Sequence, residues 1–496
     1  MSQDVCSKRK AIVIGAGIAG LASAIRLALK GFEVTIFEKN LYPGGKLSGL
    51  QQDGFCFDAG PSLFTQPSHI EDLFALANEP IEEYFQYSQV PVSCHYFFEN
   101  GKGIEASTDV NQFATNMQTA FGEPAENIIK YLQRSASIYN NIGELFIMNS
   151  LHRPGTFLNT KTLRAVGASR YNYLFQSLDQ YNQSAFKTEE AVQIFNRYAT
   201  YNGSNPYKAP AMLSVIPHLE MNEGVYYPKG GMISITNALY KLAIKKGVIF
   251  HFDSHVTQII HHQNKASGIV TNEKQVYADV IVSNCDVYFT YKHLLGNEPG
   301  ATKILKQERS SSALVFYWGI GESFKQLGLH NILFSKAYRS EFENLFEKKT
   351  MHDDPTVYIN ITSKMETGMA PAGQENWFVM VNAPANYGQD WTALQSQARQ
   401  HIIDKINRML HTDIEPLIRT EALLDPRSIE SRTASFMGSL YGTSSNSKMA
   451  AFLRHPNFTS KIKGLYFVGG SVHPGGGIPL CLNSAKIMSE MLPPSR

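Results

Sequence analysis

The pattern that most constrains this chain is Gly15-Ala-Gly17-Ile-Ala-Gly20, set directly behind the apolar run Ala11–Ile14. A short apolar run before such a turn reads as a buried parallel strand. Ile18, Leu21, Ala22, Ile25 and Leu29 then recur at three-to-four spacing, which predicts a helix ending at Gly31. Glu33–Phe37 alternates into a second strand with Glu38 at its end. In such a βαβ opening Gly15 permits the tight turn, Gly17 lets backbone approach a pyrophosphate, and Gly20 lets helix pack on strand. Ala16 and Ala19 complete the turn, and the helix's first amides face the phosphates. Glu38 lies about 20 residues on, suited to hold a ribose hydroxyl and to repel a 2′-phosphate.

The full length of 496 residues suggests about three domains, or two large ones. With 43 % hydrophobic residues it buries a large core, which excludes intrinsic disorder. A net charge of +2, with Lys and Arg scattered throughout, leaves no electrostatic footprint for nucleic acid. Cys6, Cys56, Cys94, Cys285 and Cys481 are odd in number and form no C-x-x-C pair. That argues against a disulfide framework or zinc site and suits a reducing compartment. The polar N-terminus has no leader pattern, so secretion is not expected. Ala11–Leu29 approaches the length of a membrane span, but Arg26 and three glycines favour the strand-and-helix reading. Any membrane contact is therefore expected from one side. His251 and His255 have an i, i+4 spacing in a strand-like context, where it does not converge side chains, and His261-His262 sits near a turn. No metal is expected.

Strand-rich sequence returns at Val248–Ser283 and at Leu465–Val468, the latter followed by a helix from about Pro479. From Asn111 to Tyr201 the periodicity is helical, with Ile138, Ile142, Leu145 and Phe146 on one face and Tyr171, Leu174, Phe175 and Leu178 on another. Tyr291–Leu453 mixes strands, such as Ala313–Ile320 and Trp377–Asn382, with a helix around Leu394–Leu410. One nucleotide fold interrupted by two insertions is the economical reading. Residues 1–70, 229–290 and 455–496 form the discontinuous dinucleotide domain, and 71–110, 202–228 and 291–454 the substrate domain. Residues 111–201 form a helical lid or membrane-facing subdomain.

Two further motifs carry chemistry. Pro43-Gly44-Gly45-Lys46 and Asp58-Ala-Gly60-Pro61, with Ser62 beside it, add close-approach backbone and a cation near the phosphates. Leu465-Tyr-Phe-Val-Gly469-Gly470-Ser-Val-His473-Pro-Gly475-Gly-Gly-Ile478-Pro479 leads a strand through a glycine turn into a helix start. A helix N-terminus at such a turn favours negative charge placed before it.

These motifs, together with Arg197-Tyr-Ala-Thr-Tyr201-Asn-Gly-Ser-Asn-Pro206-Tyr-Lys-Ala-Pro210 and Gly224-Val-Tyr-Tyr-Pro-Lys-Gly230-Gly231-Met, resemble those of bacterial carotenoid (phytoene) desaturases. The resemblance covers nearly the whole chain. The Arg197–Tyr201 stretch is more similar to the 1-hydroxycarotenoid 3,4-desaturase branch than to phytoene desaturases. It implies an α/β (α+β) fold like the amine oxidases: a Rossmann-type FAD domain, an inserted mixed β-sheet substrate domain and a helical subdomain. It also implies non-covalent FAD, with contacts at Gly15, Gly17, Gly20, Glu38, Lys39, Gly45, Lys46, Gly60, Pro61, Val256, Gly470, Ile478 and Pro479; Ala16, Ala19, Gly44, Ser62 and Gly469 belong to the same turns. Many relatives of the wider group have an acid after the glycine where this chain has Gly470-Ser471, so that contact must be made otherwise here.

The resemblance further implies a polyene drawn from a membrane, hydride transfer to flavin and loss of a neighbouring proton. A cytoplasmic protein at the inner face of the cytoplasmic membrane follows from it. His473, Glu220 and His218 are the candidate proton acceptors, the last two read as part of a strand-like stretch. Lys161, Arg164 and Arg170 interleave with Phe157, Leu158, Leu163, Val166, Tyr171 and Phe175, a pattern that suits either a bilayer surface or a lid helix. A flavin amine oxidase and a non-catalytic escort for prenylated proteins share the fold and stay open at this point.

Overall fold

The computed structural model describes residues 8–143, 147–153, 156, 176–296, 306–447 and 454–495. The first strand, Lys10–Ile14, is the centre of a five-stranded sheet. Its order is Leu465–Phe467, Val280–Ser283, Lys10–Ile14, Glu33–Phe37 and Ile249–His251, and every neighbouring pair is parallel. Ala11, Ile12, Val13 and Ile14 are all buried, so both faces of the sheet need cover. Helices Ile18–Leu29, Ile233–Lys245 and Ile478–Glu490 cover one face through Leu21, Ala22, Ile25, Leu239 and Ala485. Ile259 and Ile269, from a three-stranded antiparallel sheet, pack with Ile12, Ile281 and Phe467 on the other.

The span-like segment thus divides into a strand and a 12-residue helix. At ~1.5 Å per residue that helix is ~18 Å long, well short of a bilayer's hydrocarbon core. Among the described residues no helix is long and apolar enough to cross a membrane.

The second large sheet has seven strands, in the order Ile418–Leu424, Ser312–Ile320, Glu375–Ala383, Val357–Ile361, His330–Leu333, Val92–Phe97 and Gly103–Ser107. All neighbours are antiparallel except His330–Leu333 beside Val92–Phe97. Side-chain alternation splits its two faces. Leu314, Phe316, Trp318, Ile359, Trp377 and Val379 pack on Ile402, Ile403 and Ile406 of the helix Trp391–Leu410. That helix begins three residues earlier than its apolar pattern indicates, because the Asp390 side chain caps the amides of Thr392 and Ala393. Ala313, Val315, His330, Ile332, Tyr358, Phe378 and Met380 line a cavity on the opposite face.

Helices Val110–Phe121, Ala125–Ile138, Leu178–Ala185 and Glu189–Asn196 bury Phe113, Met117, Tyr131 and Phe195 in one cluster with Phe98 and Phe334. Leu145, Phe146, Tyr171, Leu174, Phe175 and the whole basic amphipathic stretch with Lys161, Arg164 and Arg170 lie outside the described residues. One expectation is corrected. His218–Asn222, read as strand-like, is a single π-helical turn behind Pro217. Three alternating residues are too few to set a strand against that local geometry.

Candidate active site

A single continuous cavity joins the carboxyl ends of the parallel strands to the inner face of the seven-stranded sheet. Its polar end is built from the first βαβ unit. Gly15, Gly17, Ala19, Glu38 and Lys39 line it, while Ala16 and Gly20 lie just beneath. Glu38 is buried at the strand end, and its Oε2 accepts the Ala16 amide at 2.7 Å. Its Oε1 accepts from the Asn40 amide at 2.9 Å and from Asn40 Nδ2 at 2.7 Å. The Gly20 amide donates to Asn284 Oδ1 at 3.0 Å, and a Cβ on Gly20 would stand 2.1 Å from the Gly15 carbonyl oxygen. Only glycine fits there. No side chain caps the helix Ile18–Leu29, whose N-cap Gly17 lies on the cavity wall.

The second motif lies against the first. The Gly44 amide donates to the Ala16 carbonyl at 2.8 Å, which brings Gly45 and Lys46 onto the wall. A Cβ on Gly60 would fall 1.8 Å from the Lys46 carbonyl oxygen, so that approach also requires glycine. Pro61 and Ser62 continue the wall, and Val256, first residue of the strand Val256–His262, closes its side. Lys46 Nζ donates to the carbonyls of Leu440, at 2.7 Å, and Ser439, at 3.2 Å. Burial pushes its ammonium down to about 8, against the pull of Asp286. Lys39 Nζ donates to the Ser431 carbonyl. His251 stacks on Phe37 with ring centroids 4.9 Å apart, which explains it as packing.

The C-terminal motif supplies the third side. Gly469, Gly470, Ile478 and Pro479 line the cavity, and Pro479 stands in the first turn of the helix Ile478–Glu490. Ser471 stands where many relatives have an acid; its Oγ accepts the Val287 amide at 3.0 Å. The neighbouring Asp286 brings a carboxylate to the same wall from another strand end, with Oδ1 accepting the Tyr288 amide at 2.8 Å.

The three candidate proton acceptors part company. His218 does not line the cavity; its Nδ1 meets Asn222 Nδ2 at 2.8 Å and its Nε2 lies 3.4 Å from Glu223. Glu220 lines the cavity but forms a buried ion pair with Arg197 at 3.1 Å. Tyr198 donates to its Oε1 at 3.2 Å and Tyr201 to its Oε2. Arg197 in turn donates to Tyr96 and Tyr201, both at 2.7 Å, and lies over the rings of Tyr96, Tyr198 and Tyr201. His473 also lines the cavity. Its Nε2 lies 2.8 Å from the Asn149 carbonyl, so the ring proton sits there, and buried Nδ1 has no hydrogen-bond partner. Burial pushes the imidazole down to about 4.

Sequence reasoning missed several residues of this site. Asn284 follows the buried strand Val280–Ser283 at its carboxyl end, where ligand-binding groups gather in open parallel sheets, so its position was a usable signal. Arg454 had none: it is buried and donates to the carbonyls of Tyr441 at 2.8 Å and Gly470 at 3.0 Å, contacts between distant segments. Tyr358 and His330 read only as strand residues, yet both line the cavity.

A model of flavin-containing amine oxidoreductases matches residues 18–490. The chain belongs to that family. It is a flavin-dependent oxidoreductase, and the glycine-only approaches at Gly20 and Gly60 keep side chains out of the turns beside the cavity. The chain is 50 % identical to a 1-hydroxycarotenoid 3,4-desaturase of Flavobacterium sp. over 98 % of its own length and 99 % of the relative's. It is 30 % identical to a 4,4′-diaponeurosporene oxygenase of Staphylococcus haemolyticus, covering 98 % and 97 % of the two chains. Among solved structures, an oxidoreductase from Methanosarcina mazei aligns with a TM-score of 0.65 at 15 % identity, over 97 % of this chain and 100 % of that one. Amine-oxidase-like architecture is therefore the fold of this flavoprotein.

Proposed function

We propose that this chain is an FAD-dependent carotenoid desaturase that forms a C=C bond in a 1-hydroxycarotenoid at the 3,4 position. One observation carries the reading: a single cavity runs from a dinucleotide cradle onto an apolar sheet face. The 50 % identity to a 1-hydroxycarotenoid 3,4-desaturase supports the substrate class. Glu38 is suited to the adenosine ribose, the glycine turns and the Ile18–Leu29 helix start to the pyrophosphate, and the Ile478–Glu490 helix start to the flavin ring. When bound, the flavin supplies a two-electron acceptor for hydride.

The chain's own task is placement, exclusion of water and removal of one proton. Val315, Ile332, Phe378 and Met380 on the sheet, with Leu213, Val215, Ile216 and Leu219 from the segment that follows Pro210, provide apolar lining for a hydrocarbon. Tyr and Phe faces on that wall favour a transient cation on the polyene. We assign the neighbouring proton to His473, since it alone of the three candidates both lines the cavity and keeps a ring nitrogen, Nδ1, without a hydrogen-bond partner. A weak base suffices there, because carbon next to a cation gives up its proton readily.

FAD is held without a covalent bond, and the protein meets the membrane from the cytoplasmic side. The test is incubation of purified protein in liposomes with acyclic, monocyclic and 1-hydroxylated carotenoids. The expected result is a red-shifted product spectrum from the 1-hydroxylated members and release of free FAD on denaturation. Conversion of phytoene with no hydroxylated substrate overturns the branch. Oxidation of amines alone, or a product gaining oxygen, overturns the reaction.

A further inference from the structure

Ser62 and Tyr358 meet where the cofactor-side segment touches the inner face of the large sheet: Ser62 Oγ and Tyr358 Oη are 2.8 Å apart, and both residues line the cavity. Tyr358 Oη is also 2.7 Å from His330 Nδ1. Burial, with Arg197 nearby, holds the His330 ring neutral at about 3, and its buried Nε2 has no hydrogen-bond partner, so Nδ1 makes its contact with the cavity wall. The Tyr358 hydroxyl has one proton and two lone pairs, and Ser62 and His330 occupy two of these three positions, one of them accepting its proton and the other donating to it. One lone pair of the Tyr358 oxygen remains, on a wall where Ile332, Phe378 and Met380 also stand. An oriented acceptor on such a wall recognises a hydroxyl on a hydrocarbon.

The reaction proposed above fixes where such an acceptor must be, and the inference rests on that reading. In a 1-hydroxycarotenoid desaturated at C3–C4, three bonds of ~1.5 Å join the oxygen to C3, so they lie within ~4.5 Å of each other. The group that holds the hydroxyl must therefore border the hydride acceptor. The Ser62–Tyr358 contact is such a border, because Ser62 continues the Gly60–Pro61 approach to Lys46, whose side chain is within electrostatic reach of Cys481 on the Ile478–Glu490 helix start assigned to the flavin ring. The Arg197–Glu220 pair is polar too, but its own tyrosines already engage its carboxylate.

We infer that Tyr358 is the residue that sets substrate specificity, its phenolic oxygen accepting a hydrogen bond from the substrate's C1 hydroxyl and thereby placing C3–C4 at the flavin. The test compares kcat/KM for a 1-hydroxylated polyene and for the same skeleton without the hydroxyl, using flavin-loaded protein in liposomes. Wild type is expected to prefer the hydroxylated substrate, and Tyr358→Phe to lose at least ~10-fold of that preference while keeping its flavin spectrum. Ser62→Ala, which removes a hydrogen-bond partner that orients the Tyr358 hydroxyl, is expected to lose at least ~3-fold; it carries the test if Tyr358→Phe does not fold. A preference retained in the folded variants overturns the inference and leaves the desaturase reading intact. So does a wild type that converts both substrates equally. A wild type that converts neither overturns the desaturase reading, and the inference with it.

Discussion

The Oδ1 atom of Asn284 accepts the Gly20 amide at 3.0 Å. The same side chain donates from Nδ2 to the Val468 carbonyl at 3.2 Å, so one amide joins the first glycine turn to the last strand. A Cβ on Gly17 would come within 2.8 Å of that Oδ1, which shows how closely Asn284 underlies the turn. Asn284→Leu keeps the bulk and removes both bonds, leaving a backbone donor and acceptor without partners. We expect ~1–3 kcal/mol of lost stability and at least ~10-fold weaker flavin retention. Thermal unfolding and the flavin-to-protein ratio after gel filtration measure these two effects. Full flavin content in the variant would show that the turn holds its shape without Asn284.

The buried Arg197–Glu220 pair makes a second prediction. Removing one partner strands a charge among tyrosines, whereas removing both leaves neutral groups that still pack. Arg197→Met is expected to destabilise the protein by ~3–5 kcal/mol. Adding Glu220→Gln is expected to recover part of that loss. Urea midpoints of the two singles and the double decide it, and strictly additive losses would mean the two groups do not act as a pair.

The cofactor end was legible in the sequence because its chemistry is backbone chemistry. Glycines at fixed spacing between a strand and a helix dictate a turn, and the turn dictates the cradle. Glu38 and Lys46 could be placed for the same reason. Ser471 and Asp286 mark where this legibility weakens, since the carboxylate arrives from a different strand end than the one carrying the motif. The substrate end was scarcely legible. Tyr358 faces the cavity only because of its register against Ile332 and the partition of the sheet's faces, which long-range pairing sets. His218 and Glu220 failed as a strand for a related reason, their alternation being too short to compete with the turn after Pro217.

Burial holds His473 and His455 neutral, each down to about 4. Both start from an ordinary value near 6.5, so the unfolded chain takes up protons first as pH falls. Stability from keeping them neutral is thus complete above ~6.5 and is lost as pH falls toward 4. His473→Gln removes one such site. Its urea midpoint is expected to fall less steeply than wild type between pH 6.5 and 4.5, the difference approaching ~3 kcal/mol at the acid end. Parallel curves would show that His473 is hydrated in solution.

Lys46 gives the opposite case, a cation whose charge is costly until an anion arrives. Desolvation pushes its ammonium down to about 8, and its partners in the protein are the neutral carbonyls of Ser439 and Leu440. A pyrophosphate beside it favours the charged form, so binding and protonation are linked. Below about 8 the flavin-free protein already carries the proton, and affinity is full. As pH rises past that value each binding event must take up a proton, and affinity falls by up to ~10-fold per pH unit. Protein stripped of flavin and titrated with FAD from pH 6.5 to 9.5, followed by fluorescence quenching, should show this bend. Lys46→Met is expected to bind ~10–100-fold more weakly at pH 7 and to show no bend. The same bend in Lys46→Met would assign it to another group, with Lys39 the next to test.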